Sequence, residues 1–329
     1  MPIPMSLACG DYARTRGLRE GTVHVEGVEL TYLSLPPAEI FWRMLRFEEF
    51  DASEMSLSAH IMDISRGDRR FVAIPVFPSR MFRHSFIFVN RAAGIGSPQD
   101  LRGKRVGVPE YHMTAAMFIR GMLADEYGVQ PSDLDWYQGG LEAPGRIERM
   151  ELDLPDDVSL THVPDRTLDA MLDAGELDAL FSATVPPSVR AGSPRVARLL
   201  ADPKQAEIEY FERTKIFPIM HTVAIRREVV DRYPWLPTEL RKAFETAKAA
   251  YYDRLRRTHA DPGCGLPFAH YESEETFKVF GDDFWPYGIA PNRPTLDAAV
   301  RYSREQHLSA RPVAVEELFD PAASELSVE

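Results

Sequence analysis

Two short apolar runs, FVAIPVF (residues 71–77) and FIFVN (residues 86–90), constrain this chain more than any other feature. Neither alternates apolar with polar residues, so neither suits a sheet with one face in water. Such runs fit strands covered on both faces by helices. The neighbouring stretches supply the helices. VELTYLSLPP (28–37) alternates as a strand does, AEIFWRMLRFEEF (38–50) carries apolar residues at helical spacing, and DASEMSLSAHIMDISRG (51–67) reads as a strand turning into a helix. Strands alternating with helices mean an α/β architecture.

Between the two apolar runs the chain places Arg80, Arg83 and His84 within five positions. On a surface, such a stretch is ordinarily a solvated turn or a partner for carboxylates. Here it connects two buried strands, and strand ends are where open α/β sheets collect their ligands. The rest of the composition narrows the ligand. A chain of 329 residues, 44% of them hydrophobic, buries a sizeable core and suggests roughly two domains. With 38 basic against 50 acidic residues, net charge -12, it lacks the basic footprint that nucleic acid requires and has no lysine-rich run for a membrane surface. A small-molecule partner is expected. Cys9 and Cys264 are far apart, which fits a reducing compartment and neither a disulfide framework nor a cysteine-rich metal site. MPIPMSLACGDYARTR has no basic segment followed by an apolar one, and no stretch approaches the ~20 apolar residues of a membrane span, so a cytoplasmic location is expected.

Residues 94–129, GIGSPQDLRGKRVGVPEYHMTAAMFIRGMLADEYGV, read as a polar turn, a strand at 104–108, a loop, and a helix over 114–127 closed by Gly128. LDWYQGG follows as a strand, and TLDAMLDAGELDALFSA (167–183) as a helix ended by Gly175 and a short buried strand. HTVAIRR (221–227) is a further strand, and residues 236–257 form an amphipathic helix. Several polar residues fall at element ends. Thr114 opens a helix directly after a strand, where free backbone N–H groups suit an anion or the hydroxyl caps its own helix. Ser56 and Ser58 lie at another strand-to-helix junction, as caps or as partners for a ligand hydroxyl. Asp11 and Arg14 follow the first strand, at a cleft edge or on a surface turn. His221, flanked by apolar residues, is a core histidine or a cleft residue. No dinucleotide fingerprint, phosphate loop, nucleophile elbow or H-E-x-x-H is present, so neither an organic cofactor nor a dedicated metal site is expected.

The run SPQDLRGKRVGVPEY, its following helix and MLDAGELDAL resemble the second lobe of type 2 periplasmic-binding-protein folds. That resemblance implies a discontinuous first lobe, residues 1–90 and 223–329, and an inserted second lobe, residues 91–222. Each would be a mixed sheet flanked by helices, with the active site in the cleft between them. ACGDYARTR, FDASEMSLSAH, AIPVFPSRMFRHSFIFVNR, GKRVGVPEYHMTAAMFIRG, IFPIMHTVAIRR and GDDFWPYG, in this order between residues 7 and 319, resemble the 4,5-dihydroxyphthalate decarboxylase family, a cytoplasmic branch of that fold. The resemblance implies a carboxy-lyase of phthalate catabolism that converts 4,5-dihydroxyphthalate to 3,4-dihydroxybenzoate. The partner is then a small aromatic dicarboxylate, no cofactor is needed, and a homo-oligomer is expected.

Direct loss of carbon dioxide from such a ring would leave an unstabilised in-plane aryl anion. The easier path protonates the carboxyl-bearing carbon with electrons from the para hydroxyl, then expels carbon dioxide as aromaticity returns. It needs a proton donor, an acceptor for the hydroxyl proton and a clamp for the carboxylate that stays. Arginine grips carboxylates bidentately. Arg80 or Arg83 with the amides near Thr114 is therefore the expected clamp, with Arg14, Ser56, Ser58, Tyr111 and His112 as further substrate contacts. His84 is the expected donor and His221 the group at the hydroxyl, roles open to exchange, with Asp11 a third catalytic candidate. His112 is not expected to be a family-wide catalyst, since the resemblance implies that family members often carry a different polar residue there. Two readings compete: a cytoplasmic sensor that binds an aromatic carboxylate, and a decarboxylase using a divalent metal on His84, His112, His221 and a carboxylate such as Glu110.

Overall fold

The structure, a computed structural model, describes residues 1–258 and 265–325; Cys264 lies outside them. Strands β1 (Ile3–Cys9), β2 (Val28–Ser34), β3 (Ala52–Ser56), β4 (Phe71–Ile74) and β11 (His221–Arg226) form one sheet in the order β2-β1-β3-β11-β4. The strands β5 (Ile87–Asn90), β6 (Arg105–Val108), β7 (Asp135–Gly140), β8 (Leu160–Thr167), β9 (Ala179–Phe181) and β10 (Val196–Arg198) form a second sheet in the order β10-β5-β9-β6-β7-β8. Both sheets are mixed. β1 runs parallel to β2 and β3 while β11 is antiparallel to β3 and β4, and β6 is parallel to β7 and β9 while β5 is antiparallel to β9 and β10. This is a two-lobed α/β fold. The chain crosses to the second sheet before residue 87, earlier than the boundary at 90 suggested by the resemblance, because β5 already pairs with β9 and β10.

Local sequence explains most elements. β4 is buried along its whole length, as a continuous apolar run requires, and β3 is buried throughout although Ser53, Glu54 and Ser56 make it mostly polar. Gly128 (φ 66) and Gly175 (φ 78) close the helices Thr114–Tyr127 and Leu168–Ala174 in the left-handed region that costs glycine least. β8 carries no apolar run because most of its residues are exposed on a sheet edge, and the sequence pattern does not reveal it.

Behind the cleft the two lobes share one core. Ile61 and Met62 of the helix Leu57–Ser65, Phe118 and Met122 of Thr114–Tyr127, and Ala299 and Tyr302 of Arg293–Glu305 belong to the same buried cluster. Phe118 meets Tyr302 edge-on at 5.8 Å, and burying a phenylalanine side chain contributes roughly 1.5–3 kcal/mol. Arg120, buried in this seam, donates to Gln306 Oε1 (2.7 Å) and to the Tyr111 carbonyl (2.7 Å) and lies 3.8 Å over the Tyr111 ring. Carbonyl acceptors and an aromatic face thus carry a guanidinium that burial would otherwise penalise.

Candidate active site

A cavity of about 390 Å³ lies between the lobes, in the size range of roughly 300–1,000 Å³ typical of small-ligand sites. One wall is the stretch that follows β4. Residues 79–81 pair with 218–220, through the Arg80–Ile219 bridge and the Met81 N–Pro218 O (3.0 Å) and Met220 N–Ser79 O (2.9 Å) bonds. In an extended chain successive side chains point to opposite faces. Ser79, Met81 and Arg83 accordingly line the cavity. The even-numbered residues pack the other way: Phe82 stacks on Phe217 at 4.7 Å, Arg80 lies 4.6 Å over the same ring, and His84 meets Tyr210 at 5.0 Å. Arg83 is held by Met220 Sδ at Nε (3.1 Å) and the Ala183 carbonyl at Nη1 (3.2 Å). Burial pulls it down to about 9, with Glu207 opposing, so it is a guanidinium at neutral pH.

The second wall carries His221. In the β3–β11 ladder His221 stands opposite Ser56 and Val223 opposite Glu54, so His221 and Glu54 are diagonal neighbours on one face. His221 Nδ1 bonds Glu54 Oε1, whose carboxylate also accepts from the Tyr12 hydroxyl (2.5 Å) and the Gly10 amide (2.9 Å). Glu54 is fully buried. Burial alone would raise its carboxyl, but His221, the Tyr12 hydroxyl and the Gly10 amide outweigh that and hold it below the ordinary range. An ionised carboxylate only accepts, so Nδ1 carries the proton and Nε2 is the ring nitrogen left to a ligand. Cys9, 3.8 Å from Glu54 Oε2, has its thiol pushed well up by burial and then by Glu54, which removes it as a nucleophile.

The opposite lobe contributes His112, Thr114 and two arginines. His112 Nδ1 lies 2.6 Å from Glu148 Oε1, and Glu148 also accepts from the amides of His112 (2.7 Å) and Tyr111 (2.9 Å). Burial would raise Glu148, but the contacts with His112 outweigh it and hold the carboxyl low. His112 Nε2 is 3.5 Å from Glu110 Oε2, and Glu110 Oε1 takes Arg146 at 2.6 Å and Arg149 at 3.2 Å. Thr114 is the first residue of its helix, and its hydroxyl does not cap it. It meets Ser56 Oγ at 2.9 Å and accepts from the Ser58 amide at 3.1 Å, tying the lobes at the cleft. The first-turn amides of this helix therefore end at the cavity without intrahelical partners.

Of the residues expected from sequence, Arg83, Glu110, His112, Thr114, Ser56 and His221 line the cavity, and the others do not. Arg80 is buried and bonded to the carbonyls of Phe217 (3.0 Å) and Pro286 (3.4 Å), so it is not the clamp. His84 is buried with Nδ1 unpartnered, and burial, then Arg213, brings it down to about 4. It is neutral at neutral pH and out of reach of a ligand, which corrects its assignment as donor. Arg14 lies 3.4 Å over Trp285 and donates to the Pro78 carbonyl (2.9 Å). Asp11 is an exposed partner of Arg19, Tyr111 is a core residue, and the Ser58 hydroxyl is buried beside the site. With His84 packed on Tyr210 outside the cavity, the four-residue metal set is not assembled. Among the described residues no group of three or more His, Cys, Asp or Glu side chains is arranged to hold a metal ion.

Sequence reasoning passed over Glu54, Tyr12, Glu148, Arg146 and Arg149. Glu54 left no trace, because the burial of its mostly polar strand shows only in the folded chain. The one signal is length. Residues 141–159 contain no helix or strand, and loops longer than about 12–15 residues are usually functional. A larger, more open hollow of about 930 Å³ lies along the helix Leu236–Thr258, but its basic and acidic groups satisfy each other, Lys248 with Glu245 (3.0 Å) and Asp283 (3.2 Å) among them. It presents no convergent acid–base pair.

No family model matches the chain. It is 42% identical to the 4,5-dihydroxyphthalate decarboxylase of Comamonas testosteroni over 324 residues, 98% of each chain. It is 40% identical to the 4,5-dihydroxyphthalate decarboxylase of Pseudomonas putida over 208 residues, 63% of this chain and 81% of that one. Among solved structures it resembles the periplasmic aliphatic sulphonate-binding protein SsuA from Escherichia coli (TM-score 0.54, 13% identity, 97% and 98% of the chains covered). A Candida albicans gene product with the generic periplasmic-binding-protein fold is comparable (0.55, 12%, 100% and 99%), as is the desulfurization enzyme DSZB (0.51, 15%, 98% and 97%). At these identities the structural likenesses establish the fold alone, which serves binding proteins and an enzyme alike. Among the described residues no helix is long and apolar enough to cross a membrane.

Proposed function

Since the chain belongs to the 4,5-dihydroxyphthalate decarboxylase family, we propose that its inter-lobe cavity binds 4,5-dihydroxyphthalate and releases 3,4-dihydroxybenzoate and carbon dioxide. The observation that carries this reading is a pair of carboxylate-backed histidines, His221 with Glu54 and His112 with Glu148, facing one cavity from opposite lobes. Ring protonation needs a donor at the carboxyl-bearing carbon and an acceptor at the hydroxyl para to it, at opposite ends of the ring.

His221 is the proton donor. Its imidazolium is stabilised by Glu54, which is itself fixed by Tyr12 and Gly10. His112, oriented by Glu148, takes the proton of the para hydroxyl. The dienone intermediate then loses carbon dioxide, the C–C bond pair returns to the ring as a phenolate, and His112 gives the hydroxyl proton back. One proton is consumed overall, reloaded on His221 from water. Arg83 and the first-turn amides at Thr114 hold the carboxylate that stays. The ring's own hydroxyl supplies the electron source, so no organic cofactor or metal enters the scheme. The same reading has the enzyme in the cytoplasm as a homo-oligomer, checked by cell fractionation and light scattering.

The decisive experiment incubates the purified protein with 4,5-dihydroxyphthalate, with and without chelator, and follows carbon dioxide and 3,4-dihydroxybenzoate. Equal formation of both products in the two arms is expected. Absence of turnover with retained binding would return the chain to a binding role, and loss of activity restored by a divalent metal would replace the metal-free scheme.

A further inference from the structure

Glu110 has no step of its own in the scheme above, although its Oε2 lies 3.5 Å from His112 Nε2; it is buried in the wall of the cavity and receives two guanidiniums on its other oxygen. Arg146 approaches Oε1 through Nε at 2.6 Å and Nη2 at 2.6 Å, and Arg149 through Nη2 at 3.2 Å. Both guanidiniums thus depend on one oxygen of Glu110, with Glu148 acting on Arg149 as a second anion. Arg149 reflects the crowding: burial pulls it below its ordinary value, Glu110 opposes, Arg146 adds to the pull, and Glu148 opposes it. Both arginines belong to residues 141–159, which are tied down by Glu148 and by Gln138 Nε2 donating to the Arg146 carbonyl (2.9 Å). Their side chains, 36% and 18% exposed, can turn from Glu110 toward a ligand without unpacking a core.

The substrate class has two adjacent carboxylates and the product one. Arg83 and the amides at Thr114 account for one of them. We propose that Arg146 and Arg149 are the seat for the carboxylate that is lost, and that Glu110 is its internal stand-in, displaced when the dicarboxylate binds and back on both guanidiniums once carbon dioxide has left. A clamp on a departing carboxylate would ordinarily oppose the reaction, because its partner charge disappears as the C–C bond breaks. With Glu110 beside them the two guanidiniums regain an anion as the first becomes neutral carbon dioxide. The seat is refilled from within, and the product, held by its one carboxylate alone, is released.

This inference rests on the dicarboxylate reading above, and calorimetry on the full chain with phthalate and benzoate, which lack the activating hydroxyls, together with the product 3,4-dihydroxybenzoate, separates the two. Glu110→Gln should bind phthalate at least about tenfold more tightly than the wild type and leave 3,4-dihydroxybenzoate nearly unchanged. In an Arg146→Gln/Arg149→Gln background the same change should have no effect. A gain that persists without the arginines means general electrostatics and overturns the proposal, as does unchanged phthalate affinity in Glu110→Gln. If Glu110→Gln does not fold, Arg149→Gln decides: it should weaken phthalate by about tenfold and leave benzoate nearly unchanged, and equal weakening of both overturns the seat. Failure of the wild type to turn over 4,5-dihydroxyphthalate would instead remove the underlying reading.

Discussion

His221 stands at the first position of β11 and takes its carboxylate from the neighbouring strand, whereas His112 stands in the loop before the helix Thr114–Tyr127 and takes its carboxylate from residues 141–159, which contain no helix or strand. Both partners of the first dyad are members of one hydrogen-bonded ladder, so their diagonal spacing is set by register and cannot drift. The second dyad is only as well placed as a loop allows. What it gains is adjustability, since the same loop brings Arg146 and Arg149. One lobe supplies fixed proton-transfer geometry, and the other supplies contacts that can respond to the ligand.

The comparison breaks first at His221. His221→Gln keeps a hydrogen-bonding group but delivers no proton, so kcat should fall by roughly 10²–10⁴ while calorimetric binding of phthalate changes little. Retained turnover would move the donor to the other lobe. Glu54→Gln acts through His221 and should cost less, roughly 10–100-fold in kcat. It has a signature that a structural defect lacks. Calorimetric binding of phthalate should stay near that of the wild type while kcat falls, whereas a misfolded variant would lose both.

On the loop-mounted side, His112→Gln should lower kcat by about tenfold, a loss of ~1.4 kcal/mol in barrier terms, since water at the solvent-exposed Arg146 edge of the cavity can take the hydroxyl proton. An effect as large as that of His221→Gln would show that the two dyads are equally indispensable.

The smallest effect on activity is expected at His84. His84→Phe should leave kcat within about twofold, because the ring is packed on Tyr210 outside the cavity. Its effect is on stability. The folded state holds His84 down to about 4, while the unfolded imidazole titrates near ~6.5. The unfolded chain therefore binds the extra proton between those values, and stability present above about pH 6.5 is lost as pH falls toward 4, by up to on the order of 3 kcal/mol. Urea unfolding at pH 7 and pH 5 should show a smaller acid loss in His84→Phe than in the wild type; an identical loss in both would mean that other groups carry it.

Much of this was legible in the chain itself. Continuous apolar runs identify β4 and β5 as buried strands, and periodicity with a closing glycine identifies the helices Thr114–Tyr127 and Leu168–Ala174. Basic and hydroxyl residues at strand ends mark the region of the cleft, because these are local properties, set by backbone sterics and by the spacing of side chains over a few residues. What the tertiary structure alone decided is which of those residues face the ligand. Arg80, Arg83 and His84 are equivalent by composition and position. The pairing of 79–81 with 218–220, more than a hundred residues away, sets which face meets the cavity, so that Arg80 turns into aromatic packing while Arg83 reaches the cavity, and the tight turn that His84 opens packs it on Tyr210. Glu54 is likewise an unremarkable acid until β11 brings His221 beside it. Register between distant strands is a property of the assembled sheet, and no local pattern encodes it.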